Sequence, residues 1–398
     1  MAFLQTEKTI KPLKFLYYFF TVVIIGLIGL GDAIYLSISH YRVYTDIGYM
    51  SFCAISRSLN CDTVSQNPYA ILFNAPVPVW GVLGYAFFLI LLAFAWPQKA
   101  QHKRVWATLL LISLCFTLYS IFLAVISALQ IHSYCIMCIL SYAVNFSLLY
   151  FTWLIRNRFQ SEPVLTSISL DIRYLACFPR IMGTVTLFFG SVIIWMILFF
   201  PPYWQMSLPD LNNKIPTGMT QDGHPWIGAK NPVLEIVEFS DYQCFQCKKI
   251  HFFLRRIIQA HPEEIRLVHR HFPMDHTINP VLKQPFHIGA GKLAIISLFA
   301  AKIDKFWVMN DLLFDVARQK EAVNILDLAQ KTGIADDEIK QALRDPQLWQ
   351  KLRLDIQAGL SYNMTGTPGF VINGKLYMGQ IPENIFREHG LIGTGTSK

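Results

Sequence analysis

Val233-Leu234-Glu235-Ile236-Val237-Glu238-Phe239-Ser240-Asp241-Tyr242-Gln243-Cys244-Phe245-Gln246-Cys247 is a β-prone apolar run that ends in a polar turn and a Cys-x-x-Cys. The next residues keep a helical apolar period through Ile250, Phe253, Leu254, Ile257 and Ile258. Strand, loop, Cys-x-x-Cys and helix, in that order, is the setting of a dithiol redox motif. Cys244 falls at the helix amino terminus, where unpaired N–H groups favour a thiolate, and Cys247 falls one turn inside. Zinc knuckles also use Cys-x-x-Cys, but Glu238 favours redox chemistry. It stands on a strand expected to be buried, a costly place for a carboxyl group without a task such as moving the Cys247 proton. Downstream, Thr365-Gly366-Thr367-Pro368-Gly369-Phe370-Val371-Ile372-Asn373-Gly374-Lys375 places a proline at a strand start and an Asn-Gly turn after it.

Upstream the chain changes character. It is 53% apolar and 15% charged over 398 residues, and the apolar excess is concentrated before residue 201. Five runs are long enough to cross a hydrocarbon core as helices: about 15–38, 79–96, 106–129, 136–155 and 181–200. Lys8, Lys11, Lys14, Lys99, Lys103, Arg104, Arg156, Arg158, Arg173 and Arg180 flank them on one side. Arg42 and Arg57 lie on the other, with nothing basic in the turn around Ile131–Tyr134. This asymmetry predicts a cytoplasmic amino terminus and, with five spans, a carboxyl domain outside. The first run reads as a retained signal anchor, since no small-x-small cleavage site follows it. Much of the net charge of +8 flanks spans, so no nucleic-acid partner is expected.

Six of the eight cysteines form three close pairs: Cys53 with Cys61, Cys135 with Cys138, and Cys244 with Cys247. All three fall on the outer side, where disulfides persist. A dithiol passes two electrons by closing into a disulfide, and a neighbouring pair takes them by exchange. Cys135 sits near the first turn of its helix, with Cys138 on the same face and Tyr142 one turn further. Tyr142 reads either as a donor to a carbonyl-bearing ligand or as a packing residue bonded to a backbone carbonyl; beside the cysteines the donor role is preferred. A short amphipathic segment around Asp62–Phe73 is placed over the mouth of the bundle. Asp32 is expected near the outer interface and solvated, and Cys115 and Cys177 as small buried or reduced thiols. His269, His271, His276 and His287 read as surface or loop residues, since their spacing fits no zinc site.

Over roughly residues 15–155 this pattern resembles the vitamin K epoxide reductase family: a Cys-x7-Cys loop, then Pro78, Gly81 and Gly84 opening the next span, and Cys135-Ile136-Met137-Cys138 followed by Tyr142. The fifth span resembles bacterial members fused to a thioredoxin-like domain. The resemblance implies a four-helix bundle enclosing a quinone, with Cys138 and Tyr142 facing it, Cys135 exchanging with Cys61, and Cys53 facing a redox partner. Where animal members carry a quinone-bonding asparagine, this chain has Val77-Pro78-Val79-Trp80, so a second donor is not located. Residues 232–390 resemble the DsbA family, through the motif above, Thr367-Pro368 and Phe306-Trp307-Val308-Met309-Asn310-Asp311-Leu312-Leu313-Phe314. That resemblance implies a cis proline beside the dithiol, with exposed backbone that pairs with a substrate peptide. Phe245 and Gln246 stand between the cysteines without a histidine, which predicts a milder oxidant than the strongly oxidising members.

The expected architecture is an all-α membrane domain over 1–200, a linker over 201–231, and a soluble α/β thioredoxin-fold domain with a helical insertion over 232–398. The expected function is a thiol:quinone oxidoreductase of the bacterial inner membrane that forms disulfides in reduced periplasmic or secreted proteins. Electrons pass from Cys244/Cys247 through Cys53/Cys61 and Cys135/Cys138 to ubiquinone or menaquinone. Running the same exchange in reverse, as a reductase or isomerase, is the alternative. Epoxide reduction is less expected beside a thiol-oxidant domain, and cysteine pairs holding zinc or copper(I) form a further alternative.

Overall fold

The computed structural model describes residues 14–53, 59–96, 103–131, 133–160, 162–206, 215–317 and 323–391. Lys8, Lys11, Arg57 and Lys99 of the charge asymmetry lie outside them. The chain divides into two compact units, the first ending at Trp204 and the second beginning at Gln205.

Four long apolar helices build the first unit: α1 (Phe15–Thr45), α3 (Val77–Phe94), α4 (Trp106–Ile126, continued by a π turn to Ile131) and α5 (Ile136–Phe159). Phe15, Phe19, Val22, Phe88, Leu92, Trp106, Leu109 and Leu148 form their common core. Gly29 lets α1 approach its neighbours: a Cβ there would lie 2.6 Å from the Tyr85 ring and 2.9 Å from Val144. Hydroxyls inside the bundle turn back on their own helix, as Ser113 does to the Leu109 carbonyl at 2.8 Å and Thr152 to Leu148 at 2.7 Å. A fifth apolar helix, α7 (Pro179–Phe199), keeps most of its side chains exposed and meets α3 through Phe189 and Phe87. These five helices are long and apolar enough to cross a membrane.

Two features go beyond the sequence reading. The first helix continues to Thr45 rather than ending near 38, so Asp32 lies well inside it and is 4% exposed, not solvated. Between the fourth and fifth spans runs an amphipathic helix, α6 (Val164–Ala176). Its buried Asp171 accepts hydrogen bonds from the N–H groups of Val105, Ala107 and Thr108 at 2.7, 3.1 and 3.0 Å. Val105 caps α4 without a side-chain bond, so Asp171 supplies the acceptors that the first turn lacks. Lys103 packs over the Phe15 ring at this same, basic end of the bundle.

The opposite end carries the cysteine loops. Asn60 caps the short α2 (Cys61–Ser65), its Oδ1 accepting from Asp62 and Thr63 N–H at 2.9 and 3.1 Å. A 3-10 turn at Pro68–Ala70 and a minimal hairpin of β1 (Ile71–Leu72) and β2 (Ala75–Pro76) complete this cap. Its turn places Phe73 and Asn74 at φ 45° and 59°.

The second unit is a six-stranded sheet. Its strands are β3 (Thr217–Met219), β4 (Pro225–Gly228), β5 (Leu234–Ser240), β6 (Ile265–His271), β7 (Gly369–Ile372) and β8 (Lys375–Met378), in spatial order β3-β4-β6-β5-β7-β8. Only β5 and β6 run parallel, and this pairing sets Glu238 beside His269. The crossover between them contains α8 (Phe245–Ala260), which carries the Cys-x-x-Cys. Between β6 and β7 come α9 (Ala290–Lys302), α10 (Phe306–Val316), α11 (Ile325–Thr332), α12 (Asp336–Ala342) and α13 (Pro346–Ser361); α14 (Glu383–Glu388) follows the sheet. The domain is thus a thioredoxin-like fold with a helical insertion. The stretch read as a linker over 201–231 contains β3 and β4, which belong to the sheet: β4 pairs with β6, and β3 with β4. Prolines, glycines and polar residues suggested turns there, but Trp226 and Ile227 pair with Val268 and Leu267.

Candidate functional site

In the first unit two cysteine pairs meet. Cys53 and Cys61 form a disulfide, with Cα atoms 5.6 Å apart. Together with Cys135 and Leu36 they make one buried cluster, against which Cys138, Met137, Tyr35 and Val64 pack. Main-chain contacts dock the two loops: Asn60 N–H donates to the Tyr134 carbonyl at 2.9 Å, and Ser133 Oγ to the Asn60 carbonyl at 3.4 Å. Ser51 N–H donates to Asp62 at 3.2 Å, tying the Cys53 segment to α2. Cys53 is completely buried. It does not present its sulfur to a partner, and attack on it requires this cap to open.

Cys135 is the N-cap of α5, and its Sγ accepts the Cys138 N–H at 3.2 Å. Both thiols of this pair are free. Cys138 lines a cavity of about 390 Å³ among the four core helices, roofed by Val64, Tyr69, Leu72 and Phe73 of the cap. The segment expected over the mouth of the bundle is therefore in place. Tyr142 and Tyr119 reach the cavity, as do Trp80 and Phe116. The Tyr142 hydroxyl takes no protein partner among the described residues. Tyr85 donates to Asn145 at 2.7 Å and Asn145 to Ser120 at 2.8 Å, so these polar groups are paired. Asp32 accepts from Ser141, one turn from Cys138 on α5. Cys115 and Cys177 are free but exposed rather than buried; Cys115 lines the cavity because its face of α4 turns to it.

In the second unit Cys244 is the N-cap of α8, with its Sγ 3.4 Å from the Cys247 N–H. Its thiol lies 3.6 Å from the Thr367 carbonyl, beside the cis Thr367–Pro368 bond. Cys247 is fully buried. The Cys247 thiol donating to Cys244 brings the Cys244 pKa down to about 7; burial opposes this and His287 assists. Burial, then the bond to Cys244, pushes Cys247 well up. His287 is held by Asp241, Nδ1 to Oδ2 2.8 Å, while Asp241 also accepts from Gln243 and Met274 N–H at 2.7 and 2.6 Å. A histidine near the dithiol is present after all, supplied by a loop far along the chain.

Behind the dithiol lies a charged cluster with no exposed edge. Glu238 is 0% exposed, with an Oε 3.6 Å from His251 Nδ1 and 3.7 Å from His269 Nδ1. These are ion-pair distances, and neither oxygen has a hydrogen-bond partner among the described residues. His251 continues to Asp311 at 2.8 Å, and Asp311 to Arg255 at 2.7 Å. Burial works to raise the Glu238 pKa, yet the two imidazoles outweigh it and hold the group at about 2. Burial likewise opposes protonation of His251, but Asp311 and Glu238 raise it; His269 is pushed down. Carboxylate, imidazole, carboxylate and guanidinium thus follow one another through the cluster.

His269, His271 and His287 are buried, not on the surface; only His276 remains half-buried in a loop. The first two alternate with outward positions on β6, where a strand-period reading would place them on an inner face. His40, which lines the cavity, was also missed. The four-residue spacing of Asp32, Leu36 and His40 was the available signal. No group of three or more potential metal ligands occurs among the described residues.

The chain matches the description "Vitamin K epoxide reductase family" over residues 20–153 and "DSBA-like thioredoxin domain" over residues 235–389. A curated relative, the Na(+)/H(+) antiporter NhaA 3 of Salinispora tropica, is 25% identical over 158 residues, covering 40% of this chain and 22% of that protein. The chain thus spans about a fifth of that relative's length. Similar solved structures include a thioredoxin-like oxidoreductase from Silicibacter pomeroyi DSS-3, at 19% identity, 43% of this chain, 91% of that chain and TM-score 0.36. The thiol-disulfide exchange protein alpha-DsbA2 of Wolbachia pipientis is similar at 21% identity, 42% and 84% coverage and TM-score 0.35. Oxidised BdbD of Bacillus subtilis is similar at 22% identity, 45% and 97% coverage and TM-score 0.35. The chain carries a domain of the vitamin K epoxide reductase family over residues 20–153 and a DSBA-like thioredoxin domain over residues 235–389, a pairing of thiol–disulfide oxidoreductase domains.

Proposed function

We propose that this chain is a quinone-dependent thiol oxidase that forms disulfides in reduced periplasmic or secreted proteins. The observation that carries the reading is the single buried cluster of Cys53, Cys61 and Cys135, with Cys138 at its edge and lining the cavity. A substrate thiolate attacks the Cys244–Cys247 disulfide and leaves as a protein disulfide, and the domain retains two thiols. Cys244 then attacks Cys53 and releases Cys61; Cys247 resolves the mixed disulfide, re-forming Cys244–Cys247 and freeing Cys53. Cys61 next attacks Cys135 of the Cys135–Cys138 disulfide and releases Cys138, and Cys53 resolves that mixed disulfide, re-forming Cys53–Cys61 and freeing Cys135. Each exchange conserves one disulfide and two thiols. A quinone held by Cys138 and Tyr142 would supply the final acceptor, so that the Cys135 and Cys138 thiols could close their disulfide by giving up one electron pair and two protons.

The cavity fits a quinone headgroup. Its volume suits a small planar ligand, its lining is largely aromatic and aliphatic, and Tyr142 offers an unpartnered hydroxyl. Cys138 and Tyr142 are the residues assigned to hold it, and the apolar walls keep water from the thiols. In the soluble unit Pro368 and its neighbours present backbone to a substrate peptide. Glu238 is assigned to the Cys247 proton together with His251, one turn beyond Cys247 on α8, because an ion-paired carboxylate is a weak base alone. The basic residues at one bundle end support a reading with that end on the cytoplasmic side of a bacterial inner membrane, and we assign the soluble unit to the periplasm.

The test is anaerobic. Full-length protein in nanodiscs, given a reduced peptide and a short-chain ubiquinone or menaquinone, should produce one quinol per peptide disulfide. Cys138→Ala should produce none. Quinol oxidation coupled to peptide reduction would instead establish the reverse direction, and no quinone turnover in either sense would exclude the relay.

A further inference from the structure

One residue of the cavity wall keeps a buried polar atom without a partner among the described residues. His40 lines the cavity from the outer half of α1 and is 0% exposed. Its Nδ1 lies 2.7 Å from the Tyr203 hydroxyl, whereas its Nε2 has no hydrogen bond among the described residues. A buried ring nitrogen is rarely left so unless a ligand or water completes it. Two other polar side chains of the wall are already engaged: Trp80 Nε1 donates to the Leu72 carbonyl at 2.8 Å, and Tyr69 to Gln130 at 3.2 Å.

The His40 ring is held in place. Tyr203 is surrounded by the rings of Tyr41, Tyr44, Phe200 and Trp204, with centroids 5.0, 6.2, 6.2 and 5.3 Å away. Phe200, Tyr203 and Trp204 follow the fifth span and lie outside the matched stretch of residues 20–153. When Tyr203 donates to Nδ1, Nε2 carries the ring proton and donates; in the opposite tautomer Nε2 accepts. A quinone offers acceptor carbonyls and a quinol offers donor hydroxyls, so this one pair matches either form by exchanging tautomers.

We propose that His40 binds the quinone, donating from Nε2 to a carbonyl oxygen, and that Tyr203 is its positioning residue. The proposal rests on the quinone reading above and supplies the second donor that the start of the second span does not offer.

The test measures binding and carbonyl vibration in the full-length protein. A short-chain ubiquinone with a 13C-labelled carbonyl is titrated into nanodisc samples by equilibrium dialysis, and its carbonyl stretch is recorded by infrared difference spectroscopy. His40→Ala should weaken binding about tenfold, the scale of one lost hydrogen bond, and return the shifted carbonyl band toward its free frequency. Tyr203→Phe should weaken binding roughly threefold with a partial band shift, since the donor remains but loses its anchor. His40→Gln, which keeps an N–H, should recover part of both signals. Affinity within twofold of the unsubstituted protein and an unchanged band in His40→Ala would overturn the proposal. If that variant fails to fold, unchanged affinity together with an unchanged band in Tyr203→Phe overturns it. Absence of quinone binding to the unsubstituted protein would instead remove the quinone reading itself, and this proposal with it.

Discussion

The two Cys-x-x-Cys motifs are nearly the same object locally and opposite objects in their surroundings. Cys135 and Cys244 are both N-caps, and each sulfur accepts the N–H three residues on, at 3.2 and 3.4 Å. Helix geometry alone accounts for that likeness, since an N-cap side chain meets the third N–H of the first turn. The second cysteines then diverge. Cys138 lines an apolar, aromatic cavity, whereas Cys247 is sealed in the domain that also buries Glu238, His251, Asp311 and Arg255. The same local motif therefore stands before two different surroundings, an apolar cavity behind Cys138 and a sealed interior around Cys247.

The sharpest way to break this comparison is to trap each pair with its partner. Cys138→Ala should accumulate a Cys61–Cys135 mixed disulfide and Cys247→Ala a Cys244–Cys53 one, each near-stoichiometric by peptide mass spectrometry. If Cys135 paired with Cys53 instead, the order of the relay would be wrong even with the families correct. Because Cys53 is buried, the Cys244–Cys53 species should form more slowly than the Cys61–Cys135 one.

A smaller effect separates the surroundings. Glu238→Gln leaves the buried His251 paired only to Asp311 and should destabilise the soluble unit by about 3 kcal/mol, read as a lower melting temperature of its transition. The group's folded pKa, about 2, lies below its unfolded value. Its contribution is therefore complete above about pH 4.5 and is lost as pH falls toward 2. The Gln variant should lack that part of the acid sensitivity, while melting of the transmembrane unit stays unchanged. An unaltered acid profile would mean that this cluster carries no stability.

The smallest effect concerns thiolate tuning. Alkylation of Cys244 in the reduced protein should rise with pH through a midpoint near 7. His287→Ala should move that midpoint up by roughly half a unit, because the imidazole assists the thiolate and the Cys247 bond remains. A midpoint unmoved by the substitution would assign the whole depression to the Cys247 thiol and the helix terminus.

Much of this molecule was legible along the chain, for physical reasons. Apolar runs of spanning length and the strand–Cys-x-x-Cys–helix order are local patterns, so the five spans and the dithiol at a helix start could be read directly, whereas the cis peptide at Thr367-Pro368 followed only from the family resemblance. Errors arose where one element borrows from another. Prolines and glycines around 216–228 spell turns, yet the segment is completed as strands by pairing into the sheet. Asp32 looked solvated because the exit of its helix was placed too early. Asp171 caps the start of α4, far upstream, and nothing beside it in the chain signals that role.

By itself, the sequence determined which segments are membrane-length, which sulfurs are paired by spacing, and which two domain families they sit on, because each follows from neighbours in the chain. Only the tertiary structure decided that Cys53, Cys61 and Cys135 share one cluster, that the Asp241-held His287 assists the Cys244 thiolate, and that His40, which lines the cavity, keeps one ring nitrogen without a protein partner among the described residues. Those are contacts between residues far apart in sequence. No local periodicity encodes them, because they arise only when packing of the bundle and the sheet fixes which side chains meet.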